Sequence, residues 1–263
     1  MQWWCAATGE QWTWTWRAYP GIWIFVAAVA LGAWLLAGRG AWSRAAAGGR
    51  AAFISGLALL WLSNDWPLGP VAAGYLASAH ALQFTIVSML AAPLILVALR
   101  GPVVARFGER RFPAPLRALL HPLSAAIAFN AVVAATHTSR VVDALMPTGS
   151  GAFVIDAAWF VSALLFWWPV VMPVPALRFF GAPMKVFYLL VGTLFHTAIG
   201  MVMLVAEHPL YGIYELAPPI LPMSPHTDQQ LAGGIMELGV FFIVVVGAAI
   251  VFFRWIERDG QEA

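Results

Sequence analysis

Six side chains able to ligate a metal or carry a proton lie within or beside long apolar stretches: His80, His137, Asp156, His196, Asp228 and Glu237. Such groups are rare there. A charge at mid-bilayer costs at least ~2.5 kcal/mol, and those that occur usually face a protein interior. Neutral imidazole suits copper, zinc and iron, and thioether sulfur biases a site toward Cu(I). Met201, Met203, Met223 and Met236 are thioethers within or between the last two of these stretches, toward the same side as these groups, although filling gaps in packed interiors is methionine's ordinary use. A lone histidine in an apolar helix also serves as an interhelical hydrogen-bond residue.

Other chemistries find little support. No phosphate-binding Gly-x-x-x-x-Gly-Lys loop, Gly-x-Ser-x-Gly elbow or His-Glu-x-x-His pair occurs. Cys5 is the single cysteine, which excludes an internal disulfide and a multi-cysteine metal site. No general base stands beside a recognisable nucleophile, so the expectation is a protein that is not an enzyme. His121 reads as an interfacial cap, His208 and His226 as solvated loop residues, and Asp65 as a turn former before Pro67.

The elements that must position these residues follow from hydropathy. Of 263 residues, 62% are hydrophobic and 10% charged, far from the roughly 25% charged residues of soluble domains. Apolar runs cover Tyr19–Ala37, Ala51–Ser63, Val71–Leu99, Leu119–Thr136, Ala152–Met172, Pro183–Ala206 and Leu231–Phe253. A span needs roughly 20 residues. The short second and fourth runs reach this by borrowing Ala45–Gly49 and Leu116–Leu120. The expected fold is an all-α membrane bundle of about seven transmembrane helices. It reads as one integral membrane domain over 1–263, with 1–18 as an outer tail and 207–230 as a long outer loop.

Orientation follows from the basic residues. Arg39, Arg44, Arg50, Arg100, Arg106, Arg110, Arg111, Arg117, Arg178, Lys185, Arg254 and Arg258 fall on one side, leaving Arg17 and Arg140 opposite. The positive-inside rule makes the crowded side cytoplasmic, so the N-terminus is expected outside and the C-terminus inside. The arginines thus report topology, and nucleic acid is not an expected partner. Five tryptophans among the first twenty residues suit an interfacial belt. The outer loops hold most of the polar sequence, which points to an extracytoplasmic working face. At 1.5 Å per residue, His80 lies roughly 9–14 Å below the outer end of its span and Asp156 roughly 5–8 Å below its own, with His137 at the rim.

The stretch Ser78-Ala-His80-Ala-Leu-Gln-Phe84, running on to Ala91-Ala-Pro-Leu94, resembles the CtaG-type cytochrome c oxidase assembly factors. So do Thr136-His137 with Val142-Asp-Ala-Leu145, Phe166-Trp-Trp-Pro169, and Pro209-Leu-Tyr211 followed by Ser224-Pro and Asp228-Gln-Gln-Leu-Ala-Gly-Gly-Ile-Met236. These marks keep the family's order from about Trp61 to Trp255. The resemblance implies a seven-span protein of the bacterial inner membrane that serves maturation of a haem–copper oxidase in the respiratory chain. It implies delivery of copper as the task, oxidase subunits and membrane lipids as partners, and His80 and His137 as carried-over positions. The chain departs from the pattern twice. Phe84 stands where the family often has a second histidine, and Ile155-Asp156 where it often has Glu-His.

The expected site is therefore a copper position at the outer end of the bundle. His80 and His137 supply nitrogen, Asp156 is third ligand or supporting partner, and His196, Asp228 and Glu237 stand behind them, with Glu237 able to reach His196. Imidazoles more than about 8 Å apart would not share an ion without rearrangement. The alternative function is a transporter of copper or another small solute.

Overall fold

The computed structural model describes residues 2–38, 40, 46–108, 110–177 and 179–262, with side chains through Glu257. Arg39, Arg44 and Arg178, the Arg258 side chain, and both chain termini lie outside the described residues. The described residues are all-helical, with no strand. The helices are α1 (Pro20–Ala37), α2 (Ala47–Asn64), α3 (Leu68–Gly74), α4 (Ala77–Phe107), α5 (Ala114–Leu119), α6 (Pro122–Thr136), α7 (Ser139–Leu145), α8 (Gly149–Val171), α9 (Ala182–Val205), α10 (Gly212–Glu215) and α11 (Pro225–Glu257).

Five of these, α1, α4, α8, α9 and α11, are long and apolar enough to cross a membrane. The remaining two expected spans correspond to α2 and α6. α2 has 18 residues but is less apolar, and α6 has 15. At 1.5 Å per residue they reach about 27 and 22 Å.

The central helix is α4, with 67% of its most apolar stretch buried against 22% for α1 and α11. It packs on α2, α8, α1 and α11, while α8 packs on α6 and α9 on α11. Large side chains turned away from the bundle, among them Ile24, Leu62, Ile127, Val205 and Phe242, are exposed and apolar, as a lipid-facing surface requires. Lipid tails are as apolar as these side chains, so helix association depends on close packing and polar links. Glycines supply the closest approaches. A β-carbon on Gly56 would lie 2.8 Å from Ile95 Cγ1, which seats α2 on α4. α9 and α11 cross at Gly200 and Gly233, where a β-carbon on Gly233 would lie 2.6 Å from the Gly200 carbonyl oxygen.

Several boundaries differ from expectation, each for a physical reason. The run expected from Val71 is broken, because α3 ends at Gly74 and α4 begins at Ala77. The Asp228 carboxylate supplies the acceptors that let a new helix start there. α5 does not extend α6, since Pro122 opens a new helix that the His121 Nδ1 caps from Leu123 N–H at 3.3 Å. α11 begins inside the expected 207–230 loop. Its start carries a sequence signature, an N-cap serine before proline: Ser224 Oγ accepts from Thr227 N–H at 3.1 Å, and Pro225 opens the helix. Thr193 interrupts α9, and there Asn130 of α6 donates to the Gly192 carbonyl at 2.8 Å. Wider π-helical turns occupy Ile86–Ala91 in α4 and Ile235–Gly239 in α11.

The tail is more than an interfacial belt. Trp14 and Trp16 are exposed, but Trp4 is fully buried among Phe25 and Phe153. Residues 2–19 lie across one end of the bundle, held by Ala7 N–H to Met146 O at 2.9 Å and Tyr75 Oη to Glu10 O at 2.8 Å. This is the tryptophan end. At the opposite, arginine end, Arg106 donates to the carbonyls of Leu35 and Leu36 that close α1, a favourable place for a cation.

A reporter active only in the cytoplasm, fused after Ala263, is expected to be active, and a periplasm-dependent one silent; the reverse would invert the orientation. Gly233→Val is expected to force α9 and α11 apart and lower stability by about 1–3 kcal/mol, read as a fall in thermal midpoint in detergent.

Candidate functional site

His80 sits one turn into α4, at a depth set by where that helix starts. Leu76 is extended, and the first helical N–H groups need acceptors. Asp228 of α11 provides them. Its Oδ2 accepts from Ala77 N–H at 2.6 Å and its Oδ1 from Ser78 N–H at 3.2 Å, and Ser78 Oγ also donates to it. A carboxylate at a helix N-terminus is favoured by the helix dipole as well as by these bonds.

His137 follows the last turn of α6. Its Nδ1 lies 2.8 Å from the Val133 carbonyl oxygen. A carbonyl can only accept, so Nδ1 carries the hydrogen, and in the neutral ring Nε2 holds the free lone pair. Such a bond on one ring nitrogen is the usual support for ligation through the other. Tyr211 clamps the same residue by donating its hydroxyl to the His137 carbonyl at 2.8 Å. Tyr211 is in turn positioned by Asp143, which accepts from Gly212 N–H at 3.2 Å and Ile213 N–H at 3.0 Å.

The two imidazoles converge. Their centroids are 6.1 Å apart, inside the expected limit. An ion about 2 Å from a ring nitrogen lies about 3 Å from the centroid, so two ligating rings have centroids up to roughly 6.5 Å apart. Both line one small cavity together with Met203, Tyr211, Tyr214 and Met236. Both nitrogens of His80 and the Nε2 of His137 are buried without a hydrogen-bond partner. Buried imidazole nitrogens normally find one; one nitrogen of each neutral ring carries the hydrogen, so the pair offers two free lone pairs, one from each ring. Trp159 of α8 walls the pair, its ring centroid 4.8 Å from His80 and 5.8 Å from His137, and its indole N–H is held by Thr136 Oγ1 at 2.8 Å.

Phe84 is the hub beneath. Its ring centroid is 5.0 Å from His137 and 5.3 Å from His196, on which it stacks. A histidine at this position would stand between those two rings; phenylalanine instead packs apolar surface against both. His196 is fully buried with neither nitrogen partnered. The expected link from Glu237 is not made: Glu237 lies over Gly200, and its Oε1 has no hydrogen-bond partner.

Asp156 is engaged elsewhere. Its Oδ2 accepts from the Trp4 indole at 2.7 Å and its Oδ1 from Gln83 Nε2 at 3.3 Å, while Gln83 also donates to Asn64 Oδ1 at 2.9 Å. Asp65 is more than a turn former, accepting from Trp23 at 2.7 Å and Trp61 at 2.6 Å. Asp228 and Glu237 are not among the cavity-lining residues. Among the described residues, no group of three or more His, Cys, Asp or Glu is placed to hold a metal ion.

Sequence reasoning missed Trp4, Trp159, Tyr211 and Tyr214 as site-building residues. Tyr211 had a signal, lying in a family-like stretch rich in turn residues. Trp4 had none, because its partner is 152 residues away.

Asp228→Ala strands the first amides of α4 and is expected to cost about 1–3 kcal/mol. Asp228→Asn keeps an acceptor and should cost less. Thermal unfolding in detergent reads both, and equal losses would mean that the negative charge matters there and the hydrogen-bond acceptor does not.

No curated protein and no solved structure gives a match to this chain. The comparison with protein families does: residues 8–258 match the cytochrome c oxidase caa3 assembly factor family. With nearly its whole length matched, and the stretches around His80 and His137 inside the match, the chain belongs to the cytochrome c oxidase caa3 assembly factor family.

Proposed function

We propose that this protein is a non-enzymatic assembly factor of the bacterial inner membrane that holds copper at its extracytoplasmic, tryptophan end and hands it to an oxidase subunit. Copper is here a cargo. The observation that carries the reading is the His80–His137 pair, two imidazoles 6.1 Å apart with free nitrogens in one cavity. Family membership supports the oxidase as recipient.

Each part has a physical task. The Val133 carbonyl orients the His137 ring, and the Asp228 cap sets the depth of His80. Trp159 packs against both rings and Phe84 against His137, which gives the pair apolar surroundings. Neutral imidazole binds copper ions of either charge. Release to a partner requires that the cavity be near a surface, and His137 at the end of α6 satisfies this. Asp156 acts one step removed, by fixing Trp4 and so the tail over that end.

Deletion in the native host is expected to lower oxidase activity and oxidase copper content while oxidase transcripts stay normal. A His80→Ala, His137→Ala double variant should accumulate and fold but fail to restore the oxidase. Unchanged oxidase in the deletion strain would overturn the proposal. Vesicles loaded with the protein should bind copper without net flux. Sustained uptake would instead establish transport of copper or another small solute.

A further inference from the structure

We infer that Met203 and Met236 complete the His80–His137 cavity as a mixed imidazole–thioether site selective for monovalent copper over divalent zinc. This rests on the copper reading above and deepens it by naming the oxidation state and the missing donors.

The donors come from four helices. His80 is on α4, His137 ends α6, Met203 is on α9, and Met236 lies in the π-helical turn of α11. Met203 is 3% exposed and Met236 fully buried, and both border the cavity that holds the two imidazoles. Their placement shares one cause. Gly200 and Gly233, where α9 and α11 touch backbone to backbone, each lie three residues before one of the methionines. Residues three apart share a helix face, so the crossing that joins the helices turns both thioethers toward the same side. Methionine used as filler closes gaps. These two instead border an open cavity, beside three imidazole nitrogens without partners.

The walls decide which ion fits. No Asp or Glu lines the cavity. Its two tyrosines donate their hydroxyls to backbone carbonyls, Tyr211 to His137 and Tyr214 to Ala72, each at 2.8 Å. All the available donors are therefore neutral. Burial cost rises with the square of the charge, so a monovalent ion costs roughly a quarter of what a divalent one does in the same walls. Zinc lacks the anionic ligand that would offset its second charge, and thioether sulfur is a poor donor to it. Monovalent copper accepts soft, neutral ligands. The cavity, about 10 Å³, has room for about one water-sized sphere and hence a single ion.

The test uses the full chain in lipid nanodiscs, without oxygen and with ascorbate. Copper affinity is measured by competition with a chromogenic Cu(I) chelator, and the ligand atoms by copper X-ray absorption. The wild type is expected to bind a single Cu(I) with both nitrogen and sulfur scatterers. Zinc should bind at least about a hundredfold more weakly, and Met203→Leu, Met236→Leu should weaken Cu(I) at least about tenfold and remove the sulfur signal. No bound copper, nitrogen or oxygen scatterers alone, an unchanged affinity in the leucine variant, or zinc bound as tightly would each overturn the inference. The absorption spectrum is taken on the wild type, so a variant that fails to fold leaves the inference falsifiable. Nitrogen-only copper overturns the thioether site while the copper reading stands. A normal oxidase in the deletion strain overturns the assembly reading whatever the spectrum shows.

Discussion

The arrangement depends on a carboxylate with nowhere to go but a helix end. Asp228 is 3% exposed, and a buried carboxylate without donors is far costlier than one that is fully hydrogen-bonded. It finds donors in the first turn of α4. That bond fixes three things together: where α4 begins, how deep His80 lies, and how α11 sits against α4. Since Met236 lies two turns beyond Asp228 on α11, the same contact also sets its approach to the cavity. Asp143 repeats the solution on a smaller scale, ordering the start of α10 and so Tyr211. Asp156 and Asp65 use indole N–H groups instead, which draws the tail and α1 onto the tryptophan end.

Apolar packing does the remaining work under the constraint that lipid offers no hydrophobic gain between helices. Association then depends on shape. Gly56 lets α2 settle on α4, and Gly200 with Gly233 brings α9 onto α11. The interior layer beneath the cavity is aromatic, with Phe84, Phe129, Trp159 and Phe166 all fully buried. Edge and stacked contacts among such rings add about 0.5–1.5 kcal/mol each beyond area burial, and they hold the imidazoles without occupying their nitrogens.

Function and fold meet in what the polar groups leave undone. Many buried polar groups at this end have a partner: tyrosine hydroxyls on carbonyls, carboxylates on amides and indoles, one histidine nitrogen on a carbonyl. Groups without one include His80, His137 and His196, the last two packed against Phe84, as well as the Trp12 and Trp66 indoles, Gln83 Oε1 and Glu237 Oε1. In the copper reading proposed above, the unmet ligand capacity of His80 and His137 is what would hold the cargo ion. Phe84 packs against both His137 and His196, and His196 is not among the residues lining the cavity that His80 and His137 share.

The sequence alone determined the all-helical membrane architecture, because the need to satisfy backbone groups in lipid leaves long apolar runs one solution, the helix. It also singled out His80 and His137, since ionisable residues in apolar runs stand out one by one. Boundaries with a local chemical cause were within its reach; Ser224-Pro225 marks the start of α11 in the sequence itself. What it could not reveal were relations across the chain. The start of α4 is set by a carboxylate 150 residues away, and a hydropathy run continuous from Val71 carries no trace of that break. Asp156 stands in the right layer by residue counting, yet it bonds to Trp4 because rise per residue gives depth and says nothing of which way a side chain points. Met203 and Met236 are indistinguishable in sequence from packing methionines. Only the crossing of α9 and α11 at paired glycines places them beside the imidazoles, and side-chain convergence of that kind is a property of tertiary packing.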